Sequence, residues 1–101
     1  IAYATTKHAV VAMTRQMASD HAGDNIRFNA LCPGFIDTPF NAGFEKQMGG
    51  RDKLERYVSQ TIPMGRWGST DEIAHSILFL ASDMSTFMTG HALVVDGGEC
   101  I

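Results

Sequence analysis

Basic blocks, long apolar runs and closely spaced cysteines are all missing from this sequence. Lysine and arginine together number 8 and the formal net charge is −3. With no cluster of cations, the chain lacks the electrostatic footprint of a binder of nucleic acid or of an anionic membrane. No apolar run approaches the ~20 residues that a membrane span requires. The two cysteines, Cys32 and Cys100, lie far apart and form no C-x-x-C pair. They read as buried or incidental thiols in a reducing cytoplasm rather than as a disulfide framework. His8, His21, His75 and His91 share no ligand spacing, so no metal site is read. The sequence does not begin with methionine, and its start is expected to lie within a longer chain. Internal repeats and low-complexity segments are also absent.

What remains is 45% hydrophobic and 19% charged, the balance of a soluble globular domain, and 101 residues allow one domain at most. The period of apolar residues predicts a helix over 3–22. Ala9, Val10, Met13 and Met17 lie on one face, and the smaller Ala4, Val11, Ala18 and Ala22 on another. A helix apolar on two sides needs two neighbours. Gly23 is the expected left-handed C′ residue. Residues 26–32 alternate as a strand, ended by Pro33-Gly34. The following Phe-Ile-Asp-Thr-Pro is too short for a regular element, and a loop at the carboxyl end of a strand is where α/β sheets bind ligands.

Residues 40–62 are the least committed stretch. Gly43, Gly49 and Gly50 interrupt it, and Leu54, Tyr57 and Val58 mark one short amphipathic helix. Either a substrate lid or a plain surface loop fits this pattern. Ser69 and Glu72 then form a capping box, opening a helix whose buried stripe is read as Ile73, Ile77, Leu78 and Ala81. Trp67, just ahead, is read as a packing anchor. Residues 91–95 give a second, short strand, ended by Asp96-Gly97-Gly98.

Helix, strand, helical crossover, strand is a parallel α/β pattern. Two parallel strands do not make a stable sheet, so further strands are expected upstream of Ile1. The chemistry-bearing residues come first in the chain. Tyr3 and Lys7 are four apart, which stacks them on one helical face. A free phenol titrates near ~10, and an ammonium held beside it favours the phenolate. Such a pair suits a general acid/base acting on a substrate oxygen. Taken alone, it also fits an ordinary solvated helix pair.

Four signals fall in order: Tyr3-x-x-x-Lys7, Pro33-Gly34-x-x-x-Thr38 after a strand, Pro63-x-Gly65-Arg66-x-Gly68 before a capped helix, and Val94-Val95-Asp96-Gly97-Gly98. Together they resemble the short-chain dehydrogenase/reductase family. The resemblance covers the whole chain and corresponds to the C-terminal part of a family member. It implies an α/β fold: the C-terminal part of a Rossmann-like, doubly wound parallel sheet, with the N-terminal cofactor-binding strands absent. It implies an NAD(P)-dependent oxidoreductase that interconverts an alcohol and a carbonyl by hydride transfer. Tyr3 would be the general acid/base, and Lys7 would hold the nicotinamide ribose and lower the phenol pKa. Thr38 and the backbone of Ile36 would hold the nicotinamide carboxamide, with Pro33 and Gly34 shaping that wall. Residues 40–62 would be the substrate lid. A cytoplasmic homo-oligomer acting on a small alcohol or carbonyl is implied, without nucleic-acid or membrane partners.

The glycine-rich pyrophosphate turn, the residue that chooses NAD or NADP, the carbonyl-polarising serine and the relay asparagine have no counterpart in these residues. The 101-residue piece alone is therefore expected to be inactive. Two alternatives stay open. One is a nucleotide-sugar epimerase or dehydratase of the same family, against which the Asp-Gly-Gly ending argues. The other is a truncated, non-catalytic oligomerising module.

Overall fold

The computed structural model describes residues 1–100. Its elements are α1 (Ala2–His21), β1 (Ala30–Pro33), α2 (Ala42–Met48), α3 (Arg51–Thr61), α4 (Thr70–Ala81) and β2 (Ala92–Val95). Short 3-10 turns occupy Ala22–Asp24, Pro39–Asn41 and Asp83–Ser85. The two strands pair in parallel: the Ala30 N–H donates to His91 O at 2.8 Å and the Gly34 N–H to Val95 O at 3.0 Å. The chain divides into two compact units, one of Ile1–Cys32 with Ile77–Leu93, the other of Pro33–Ser76 with Val94 onward.

In the first unit, α1 is covered only along the middle of the small-residue face, Ala4 and Ala22 being exposed. Thr14 and Ala18 are buried and Val11 is partly so, while Val10 and Met13 on the other face are 48% and 55% exposed. Small side chains allow close approach here: a Cβ added to Gly90 would lie 3.4 Å from Ala18 Cβ. The helix does not end at Gly23 as the sequence suggests. The chain takes one further 3-10 turn, and Asn25 adopts the left-handed conformation at φ 60°. Asparagine tolerates that region better than most side chains.

The regular strand also begins later than the alternation over 26–32 predicts. Before Ala30 one backbone bond remains, from Gly90 N–H to Phe28 O at 2.6 Å, and side chains supply the other partners. Phe28 N–H donates to Thr89 Oγ1 at 3.1 Å, and Asn29 bridges by donating to Met88 O (3.0 Å) and accepting from His91 N–H (3.0 Å). The Arg27 guanidinium donates to Leu80 O at 2.9 Å and Met88 O at 3.2 Å, so this polar side chain ties up one carbonyl in the last turn of α4 and one beyond it. These exchanges satisfy the backbone without a ladder.

The second unit is built around α3. Leu54, Val58 and Ile62 succeed one another at four-residue spacing and are 0%, 1% and 3% exposed. Phe35, Phe44, Met48 and Trp67 pack around them. Residues 40–62 thus form two helices rather than one and carry the core of their unit. The joint between them is Gly49-Gly50, at φ 93° and 120°, which L side chains rarely adopt. Gly49 and Gly50 N–H groups close α2 on the carbonyls of Lys46 (3.2 Å) and Glu45 (3.0 Å).

The capping box of α4 forms as its sequence predicts: Glu72 N–H donates to Ser69 Oγ at 3.1 Å, and Ser69 N–H to Glu72 Oε1 at 3.0 Å. The Arg66 guanidinium adds a fork onto both carboxylate oxygens, at 2.8 and 3.0 Å. The fork, followed by the Ser69 donors, holds the Glu72 carboxyl down to about 2 from an ordinary 4.5. Its folded pKa is depressed, so it contributes stability above the unfolded value that is lost as pH falls from 4.5 toward 2. Melting temperatures of the wild type and Glu72→Gln are expected to differ near neutral pH and converge across that interval. A constant difference down to the acid end would contradict the assignment.

The expected stripe of α4 is not buried. Ile77 and Leu78 are 53% and 66% exposed, and Ala81 is exposed too. Of the expected stripe only Ile73 is half-buried; the other half-buried apolar positions of α4 are Phe79 and Leu80, which the periodicity did not single out.

Candidate active site

Tyr3 belongs to the first turn of α1, where Thr5 N–H already reaches Ile1 O at 2.9 Å and Thr6 Oγ1 donates to Tyr3 O at 2.9 Å. One turn on, Lys7 returns over the same face, with its Nζ 5.3 Å from the centre of the Tyr3 ring. That separation is within the range of a cation–π contact. The Tyr3 side chain is otherwise open, 71% exposed overall, and among the described residues its hydroxyl has no hydrogen-bond partner. The helix therefore presents a phenol outward with its own cation beside it.

Pro33, Gly34, Ile36 and Thr38 belong to the other unit, at the carboxyl end of β1. Gly34 is required by close approach: a Cβ there would meet Asp96 Cβ at 2.7 Å and Asp96 Cα at 2.8 Å. Beyond it the chain makes one isolated parallel bridge, Ile36 to Gly68. Gly68 N–H donates to Phe35 O at 2.9 Å, and Asp37 N–H to Gly68 O at 3.0 Å. The bridge turns the Ile36 N–H away from Gly68, and among the described residues it has no acceptor. Thr38 is extended at φ −140°, and its hydroxyl makes no cap on the following turn. Asn41 Nδ2 closes the loop from below, donating to Ile36 O at 2.6 Å and approaching Thr38 O at 3.3 Å.

An unspent N–H and an unspent hydroxyl two residues apart, beside a carbonyl, match the donors and acceptors of a primary amide. The nicotinamide carboxamide is such a group, so the residues present fit it. Asn41, which holds this loop through both carbonyls, escaped the sequence reading. The available signal was only an asparagine three residues past Thr38, after a proline. Among the described residues no group of three histidine, cysteine or acidic side chains gathers as for a metal ion, and no helix is long and apolar enough to cross a membrane.

The two parallel strands and the helices around them make an α/β arrangement. The family model described as enoyl-(acyl carrier protein) reductase matches residues 1–99. The chain is 43% identical over 99 residues to the 3-oxoacyl-[acyl-carrier-protein] reductase FabG of Thermotoga maritima, covering 98% of this chain and 38% of that protein. A short-chain dehydrogenase family protein of Francisella tularensis superposes with a TM-score of 0.89 at 34% identity, over 99% of this chain and 43% of the other. A 4-hydroxyisoleucine dehydrogenase mutant, solved with NADH and succinate, superposes with a TM-score of 0.86 at 33% identity, over 97% and 39%. The chain belongs to the short-chain dehydrogenase/reductase family. It spans a little over a third of the length of the curated relatives it matches, 36% and 38% in two of them.

Proposed function

We propose that the whole protein is an oxidoreductase that interconverts an alcohol and a carbonyl with a nicotinamide cofactor. The observation that carries this reading is the exposed Tyr3 phenol with the Lys7 ammonium 5.3 Å from its ring centre. When bound, the cofactor supplies or accepts the hydride at the substrate carbon. Tyr3 Oη donates its proton to the carbonyl oxygen in reduction and takes the hydroxyl proton in oxidation. Lys7 places positive charge beside the phenol while it carries the proton deficit. Ile36 N–H and the Thr38 hydroxyl orient the carboxamide, and Pro33-Gly34 shape the wall behind it. Residues 40–62 close over the substrate. A relative solved with NADH supports the cofactor class. A cytoplasmic homo-oligomer belongs to the same reading.

The test is turnover by the whole protein with NADH or NADPH against a panel of small ketones, sugar ketones and 3-oxoacyl thioesters, followed by loss of reduced-nicotinamide absorbance. Consumption of one cofactor, matched mole for mole by alcohol, is expected. No turnover with either cofactor in both reaction directions would overturn the proposal.

A further inference from the structure

We propose that Arg51 is a positioning residue for cofactor binding, acting through Asp37 on the Ile36–Thr38 loop; the inference rests on the reading that this loop holds the carboxamide. Arg51 opens α3, and its Nη2 lies 3.1 Å from Asp37 Oδ2. A lone, half-exposed ion pair of this kind contributes little. This one is not alone. Arg51 Nε donates to Glu55 Oε1 at 2.9 Å, one turn along α3, and the guanidinium carbon lies 5.0 Å from the centre of the Trp67 ring. Trp67 in turn meets Phe35 edge to face, with centroids 6.0 Å apart. The planar cation is thus fixed by the Glu55 carboxylate on one side and an aromatic face on another, with its Nη2 directed at Asp37.

Asp37 stands between the two residues assigned to the carboxamide. Its neighbours are held by other means: Ile36 by the Gly68 bridge and Asn41, Thr38 by Asn41. Arg51 is the attachment that comes from α3, within the segment that closes over substrate. Displacement of α3 therefore pulls on the loop through Arg51. By thermodynamic reciprocity, a ligand whose binding biases the α3–Asp37 attachment changes cofactor affinity by the factor that the cofactor returns to it.

The experiment compares wild type, Arg51→Ala, Arg51→Lys, Asp37→Asn and the double variant Asp37→Asn/Arg51→Ala in the whole enzyme, measuring KM for cofactor, kcat and melting temperature. Loss of the pair is expected to raise KM for NAD(P)H roughly fivefold, the lower end of ordinary coupling factors, with kcat little changed. Asp37→Asn should match Arg51→Ala, and the double variant should be no worse than either. Arg51→Lys should recover only part, because an ammonium cannot lie flat on Trp67. Unchanged cofactor KM in Arg51→Ala, with or without a lower melting temperature, would overturn the inference alone. So would strictly additive losses in the double variant. Failure of the wild type to bind either cofactor would overturn the functional reading, and this inference with it.

Discussion

Tyr3→Phe is expected to lower kcat/KM of the whole enzyme by about 10²–10⁴-fold, the range of a lost general acid/base, without measurable unfolding. The structure makes the substitution a clean one. The Tyr3 hydroxyl contributes no hydrogen bond among the described residues, so removing it leaves no buried partner unsatisfied. The ring and its contact with Lys7 remain, since that contact is made to the face of the ring. Steady-state kinetics, a thermal melt and cofactor binding on the same preparation decide the matter. The signature is a collapse in turnover with melting temperature and cofactor affinity near those of the wild type. Near-normal turnover would remove Tyr3 from the chemistry. A loss shared equally by turnover and melting temperature would make the phenol a structural group.

Local patterns were readable in the sequence to the extent that they depend on neighbours one turn away. Tyr3 and Lys7 meet because i and i+4 face each other on any helix, and Ser69 and Glu72 close their box because each side chain reaches the other's backbone N–H across the first turn. The beginning of β1 was misplaced because Asn29 and Thr89 supply side-chain partners where alternation implied a backbone ladder. Periodicity cannot register such an exchange. The open N–H of Ile36 was likewise invisible, since it depends on the bridge to Gly68, distant in sequence. The stripe Ile77–Leu78 illustrates the complementary failure: a pattern names an apolar face, but burial needs a partner, and in this chain that face is open. The relatives matched are more than twice as long as the chain.

Leu54→Ala should destabilise the second unit by about 3 kcal/mol or more, within the range found for fully buried leucines. Leu54 is 0% exposed within the glycine-interrupted stretch 40–62. Its surroundings are poorly able to collapse into the space left behind. Phe35 meets Phe44, Tyr57 and Trp67, each with ring centroids 6.0 Å away, and Phe44 meets Tyr57 at 5.9 Å. Rings interlocked in both stacked and edge-on fashion cannot shift singly without giving up contacts to the others. The cavity therefore stays largely open, which places the loss toward the upper part of the range. Denaturant unfolding of the whole protein checks it, with the midpoint falling and the slope preserved. A loss below about 1 kcal/mol, no more than an average substitution produces, would mean that the 35–67 aromatic cluster does not hold its unit together. The consequence extends to function. Phe35 is the residue before Ile36, so a loosened ring frees the backbone that presents the Ile36 N–H. Leu54→Ala is then expected to raise cofactor KM as well as lower stability, whereas Tyr3→Phe separates the two.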